Sequence, residues 1–194
     1  GGDLYSIGTR ATVHKVVKMP NQSLWGVTEG KERLRLGEVS QLTPFMTADC
    51  ETIEEVEPEK SPEAEALLRN VVSQFQQIVT SSPTLSDDLQ TIAINIDEPG
   101  RLADFIASSL PFLTTTDKQE LLETPDVSAR LERINKHLAK ELEVQQLRNK
   151  IQSEVQDSVQ QSQRDYYLRE QMKAIQKELG DLDDSQKDIA ELKE

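Results

Sequence analysis

Between Pro125 and Gly180 the chain runs for about 55 residues without a proline or glycine, enough for a helix on the order of 80 Å at 1.5 Å per residue. No single small domain is that long. Thr124 reads as its N-cap, Pro125 as its first helical residue and Gly180 as a left-handed stop. Whatever else this sequence builds must be hung on that helix.

The apolar pattern along the helix shifts twice. Val127, Leu131, Ile134, Leu138 and Leu142 hold one face. A step of only two residues, about 200° of rotation, then leads to a second face of Val144, Leu147, Ile151, Val155 and Val159. Another two-residue step, Tyr166 to Leu168, opens a third stripe of Leu168, Met172, Ile175 and Leu179. The helix is expected to change neighbours at each step. Its first stripe packs on a bundle, "IQSEVQDSVQQSQRD" crosses solvent, and the third stripe is left for a partner. Four-residue steps are looser than a heptad, which argues against a long left-handed coiled coil.

Composition agrees with extended helices. The chain is 36% hydrophobic, 4% aromatic and 29% charged, too little aromatic and too much charge for one compact globule. A net charge of -13 argues against a phosphate-binding surface, so nucleic acid is not an expected partner despite Arg33 and Arg35. One cysteine, Cys50, permits no intrachain disulfide and points to a reducing compartment. No run is long and apolar enough for a membrane span and no secretory start is present. The expectation is a cytoplasmic protein with no membrane partner. The opening "GGDLYSIGTR" has no methionine and "DIAELKE" stops within helix-like sequence, so the chain is expected to be a fragment.

Upstream of the helix the fold class reads as α+β. Residues 1–57 form a small, incomplete β-rich domain, in which "RATVHKVVK" and "LWGVTEG" flank the turn "MPNQS" as a hairpin. "RLRLGEV" follows with Leu34 and Leu36 on a buried face and Arg33 and Arg35 on a wet one, and "CETIEEVEP" is an edge strand. Trp25 is expected to pack in the core or on the sheet face. Residues 58–124 form a helical bundle. Ser61 caps its first helix, with Pro62 first and Glu63 and Glu65 in the positive first turn, and Leu67, Leu68, Val71, Val72, Phe75, Ile78 and Val79 face inward. Shorter helices start at Ser86, Pro99 and Thr116. The long helix occupies residues 125–180, and residues 181–194 are an acidic linker or helix start.

The chemistry of catalysis is missing from the pattern. No phosphate loop, dinucleotide loop or nucleophile elbow occurs, and His14 and His137 sit in unrelated segments. Asp and Glu lack calcium-loop spacing, the acidic run from Glu51 to Glu65 reads as a solvated linker, and Cys50 has no basic sequence neighbour to activate it. No catalytic, cofactor-binding or metal-binding residue is assigned. What remains is surface: Tyr166 and Tyr167 project about 100° apart, so one neighbour hardly buries both. They either cover local helix packing or, with Leu168, Met172 and Ile175, form an adaptable contact for unfolded segments or partner subunits.

"SQRDYYLREQMKAIQKELGD" resembles the signature that ATP-dependent Lon proteases carry at the end of their N-terminal region. "GTRATV", "EGKER" and "DEPGRLADFIASSLPF" are similar to further elements of that family, so the resemblance spans nearly the whole chain. The family's opening "PLR" strands are absent here, as are its nucleotide-binding loop and serine–lysine dyad. The resemblance implies a noncatalytic N-terminal region of a hexameric, ATP-driven serine endopeptidase that degrades misfolded and regulatory proteins. ATP and magnesium then belong to an ATPase module after Glu194, and unfolded or damaged proteins and further copies of the chain are the expected partners. Two other readings stay open: a structural spacer or oligomerisation helix, and an unrelated coiled-coil adaptor.

Overall fold

A computed structural model describes the backbone of residues 4–191 and the side chains of residues 4–179. It divides into two compact units, Gly1–Leu142 and Glu143–Glu194. The first is α+β, a small antiparallel sheet followed by helices, and the second is helical.

The sheet has the order β1-β2-β3, formed by β1 (Ile7–Lys18), β2 (Leu24–Gln41) and β3 (Thr47–Thr52). β1 and β2 make the expected hairpin, closed by the Lys18–Leu24 pair and a turn in which Met19 donates to Ser23 and Gln22 donates back to Met19. The sequence suggests a break near Gly30, but β2 passes straight through it. Arg10 pairs with Glu32 and Ala11 with Gly30, so Lys31 is left over as a bulge and one long strand replaces two short ones. The edge strand is also shorter than "CETIEEVEP" suggests, because β3 ends at Thr52 and Val56 instead makes an isolated parallel bridge to Asp126.

Two side chains reverse their expected positions. Arg33 is 5% exposed, against the expected wet face, while Arg35 stays exposed and Leu34 and Leu36 are only partly buried. Trp25 is 69% exposed, so it belongs to no core in this chain. Alternation alone says which residues share a face, and the burial of Arg33 depends on carboxylates supplied from far along the sequence.

The helical part is α1 (Pro62–Ser81), α2 (Asp88–Ile94), α3 (Pro99–Ser109), α4 (Thr115–Leu122) and α5 (Val127–Glu191). Ser61 caps α1 as its sequence requires, with its hydroxyl oxygen accepting from the Ala64 amide at 3.2 Å. At the start of α2 Asp87 occupies the N-cap position without a side-chain cap bond, and the Ser86 hydroxyl one residue earlier accepts from the Asp88 amide. α4 starts two residues earlier than expected, because Thr114 and Asp117 form a reciprocal capping box. α5 starts later than Pro125: the Asp126 carboxylate accepts from the Ala129 amide, while the Pro125 carbonyl is taken by the Val56 amide. Gly180 does not end α5, which continues to Glu191. A helical glycine costs about 1 kcal/mol relative to alanine, too little by itself to stop a helix.

The core lies among the helices. Val71, Phe75, Ile78 and Val79 of α1 meet Leu102 and Ile106 of α3, Leu121 of α4, and Val127, Leu131, Ile134 and Leu138 of α5, all 2% exposed or less. Phe75 and Phe105 pack edge to face at 6.2 Å between centroids. Each fully buried aliphatic or aromatic side chain here contributes roughly 1.5–3 kcal/mol. Leu142 packs on this core only partly. Ile92, expected to help close the bundle, is 44% exposed because α2 is a single short helix at its margin.

Candidate functional site

The third stripe lies open. Tyr166, Tyr167, Leu168, Met172 and Ile175 are 69%, 62%, 51%, 58% and 58% exposed. Helical geometry divides them, however. Leu168, Met172, Ile175 and Leu179 share an arc of about 60°, Tyr167 stands about 100° to one side, and Tyr166 falls about 160° away. Tyr166 instead aligns with Val159, and the two rim a shallow concavity with Ser158, Ser162 and Gln163. The two rings therefore serve different faces. Tyr167 is steadied by Gln171, whose side-chain amide donates to the phenol oxygen at 3.0 Å, and Lys173 pairs with Glu170 at 2.8 Å beside the arc.

A second exposed apolar patch lies on the hairpin and was not expected from the sequence. Val17 sits directly opposite Trp25 and Lys15 opposite Val27, so Val17, Trp25 and Val27 share one face of the two strands. All three are exposed, with Trp25 and Val27 above 60%. The run of β-branched residues was the available signal, but it reads equally well as a strand with a covered face.

The most strongly charged interior feature joins the sheet to the helices. Arg130 is fully buried and Arg33 nearly so, and both donate to the same two carboxylate oxygens, Glu55 Oε1 and Asp104 Oδ1. Arg130 reaches Asp104 at 3.0 Å and Glu55 at 3.2 Å, while Arg33 reaches Asp104 at 2.5 Å and pairs closely with Glu55. Each Nε is used too: Arg33 donates to the Leu122 carbonyl and Arg130 to the Thr124 carbonyl, both at 3.0 Å. Burial lowers the Arg33 pKa, Asp104 opposes that shift, and the neighbouring Arg130 charge adds to it.

Gly100 makes room for this cluster, since a Cβ there would stand 2.5 Å from Glu55 Oε2. With both guanidiniums bonded to the shared carboxylates, the cluster ties β2 to α3 and α5. Two of its members, Arg33 and Asp104, lie in "EGKER" and "RLAD", where the sequence offers no hint that they meet.

Nothing among the described residues forms a catalytic or metal centre. No group of three or more His, Cys, Asp or Glu side chains is placed to hold a metal ion. His14 bonds Glu29 at 2.8 Å on the exposed hairpin. The Glu29 carboxyl lies below its ordinary pKa chiefly through the hydrogen bond from Lys31, with His14 adding to it. Cys50 is exposed, with its sulfur 3.6 Å from the Ala48 carbonyl. A concavity of about 480 Å³ between the segment after β3 and the starts of α1 and α5 is lined by Glu57, Glu59, Glu63, Asp126 and Glu132 with apolar Val56 and Leu67. Glu63 belongs to the α1 cap, its own backbone amide and Ser61 holding its carboxyl low. No described helix is long and apolar enough to cross a membrane.

Residues 1–140 match the family described as the ATP-dependent protease La (LON) substrate-binding domain. A Lon protease of Koribacter versatilis is 69% identical over 99% of this chain, and one of Dictyoglomus thermophilum is 42% identical over the same share. The chain spans only 24% of the length of either relative. The structure described as the N terminal domain of Mycobacterium avium complex Lon protease aligns with a TM-score of 0.59 at 23% identity, covering 71% of this chain and 72% of that one. That likeness is one of fold.

Proposed function

The chain belongs to the Lon protease family, and from that premise we propose that it engages unfolded polypeptide on behalf of an ATP-dependent serine endopeptidase, while catalysis resides elsewhere in the parent protein. The observation that carries this reading is the open arc of Leu168, Met172 and Ile175, flanked by Tyr167, with large side chains more than half exposed. Thioether, branched aliphatic and aromatic groups give contact area with little demand on sequence, which suits a binder of many unfolded segments. Tyr166 extends the contact onto the neighbouring face. Homohexameric assembly, a cytoplasmic setting, and ATP with magnesium bound outside residues 1–194 complete the proposal.

A specific observation favours a second surface for the same function. The match to a substrate-binding domain ends at residue 140, before the helical arc and beyond the hairpin patch of Val17, Trp25 and Val27. An extended segment laid on that face meets aromatic and β-branched groups, with Lys15 beside them.

Titrating a permanently denatured model protein against two variants tests both surfaces. Tyr166→Ala/Tyr167→Ala/Met172→Ala is expected to weaken binding at least about tenfold, as loss of clustered aromatic contacts does. Loss confined to Trp25→Ala/Val27→Ala moves the site to the hairpin. Unchanged binding by both variants contradicts the proposal.

A further inference from the structure

We infer that the hairpin face of Val17, Trp25 and Val27 selects extended segments in which an Asp or Glu stands beside apolar residues, and that Lys15 sets this preference. The inference rests on the reading of that face as a substrate surface. The cross-strand pairs Val17–Trp25 and Lys15–Val27 are next to each other but one along the two strands, so alternation puts all four side chains on one face. They form a single exposed array, with opposite Cβ atoms about 5 Å apart. From Val13 to Thr28 the chain carries no carboxylate, although it holds 35 Asp and Glu in all.

The carboxylate that follows the array along β2, Glu29, is already engaged. His14 Nε2 and Lys31 Nζ each lie 2.8 Å from one of its two oxygens. Arg10 and Glu32, further toward the body of the sheet, pair with each other. The Lys15 ammonium has no ion-pair partner among the described residues. An ammonium left open beside an indole ring and two valines is complementary to a carboxylate that neighbours apolar side chains, and it repels a Lys or Arg in the same place. The chain's net charge of -13 acts in the opposite sense. At physiological salt that field is screened beyond about 8 Å, so the ammonium within the array decides. Lys18 stands opposite Leu24, on the other face of the hairpin.

Fluorescence anisotropy on the full 194-residue chain at physiological salt reads the preference. The probes are two unstructured peptides with the same valine and tyrosine residues, one carrying two Glu between them and the other two Lys. The Glu peptide is expected to bind about two- to tenfold more tightly than the Lys peptide. Lys15→Gln is expected to narrow that difference and Lys15→Glu to invert it, whereas Lys18→Glu, on the other face, leaves the order unchanged. Both lysines are exposed, so these substitutions preserve the fold. Trp25→Ala/Val27→Ala is expected to weaken both peptides. Equal binding of the two peptides, with both still weakened by Trp25→Ala/Val27→Ala, overturns the selection and leaves the hairpin as a binding surface. An unchanged order after Lys15→Glu, or an inverted one after Lys18→Glu, overturns the role of Lys15. Binding untouched by Trp25→Ala/Val27→Ala removes the hairpin as a substrate surface, and the selection with it.

Discussion

Two stretches of α5 carry apolar residues at similar spacing and meet opposite fates. Val127, Leu131, Ile134 and Leu138 are 0–2% exposed, whereas Val144, Leu147, Ile151, Val155 and Val159 are 42–57% exposed. Periodicity thus identifies a face that has something to meet, but not whether that partner lies in the same chain. Before Leu142 the partner is α1 and α3, and the helix is held by tertiary packing. Beyond it, the described side chains offer local support such as the Lys173–Glu170 pair at 2.8 Å, worth a few tenths of a kcal/mol. Strong helix formers maintain the backbone there, and the apolar side chains are left available to other molecules.

The largest expected difference between the two stretches is in truncation. Leu138→Ala removes a fully buried side chain and is expected to destabilise the folded chain by about 2–5 kcal/mol, while Ile151→Ala changes it by no more than about 0.5 kcal/mol under monomeric conditions. Denaturant titration of the two variants separates them. Equal losses would mean that both stretches pack within one chain.

Next comes the polar side of the same packed region. Arg130→Met is expected to cost about 2–4 kcal/mol, somewhat below the figure for a wholly buried pair, because Glu55 and Asp104 keep part of their surface in water. A double-mutant cycle with Arg33→Met measures the coupling, and strictly additive losses would show that the two arginines do not share their carboxylates.

The smallest effect is a pH dependence at the α4 cap. Hydrogen bonds from the Thr114 hydroxyl and backbone amide hold the Asp117 carboxyl below its ordinary pKa, with His137 and Lys140 charges acting in the same direction. Its stabilising contribution is therefore present above the ordinary carboxylate range and lost as pH falls through the lowered folded value. Asp117→Asn is expected to lower Tm slightly at neutral pH and to converge with the unsubstituted chain in acid. A gap that widens on acidification would contradict the sign.

Local signals in the sequence located most of the helices. Ser61–Pro62 and Pro99 mark the starts of α1 and α3, and the two-residue step from Leu142 to Val144 marks the point where the buried face ends. Features that depend on distant partners were not legible. Arg33 looked wet because nothing near it in sequence shows Glu55, Asp104 and the Leu122 carbonyl converging on it. Trp25 looked covered because large aromatic residues usually are, and Gly30 looked like a break because a bulge and a turn begin with the same residue. Of the candidate contact residues, exposure followed from the polar surroundings, whereas the separation of Tyr166 from the Leu168–Ile175 arc follows only from counting turns.

Hydrogen exchange along α5, followed at several protein concentrations, tests the contrast most directly. The account predicts slow exchange from Leu131 to Leu138 at every concentration. From Val144 to Val159 it predicts fast exchange in dilute solution. Uniformly slow exchange through both stretches in dilute solution would contradict it, because the second stretch would then be held by its own chain.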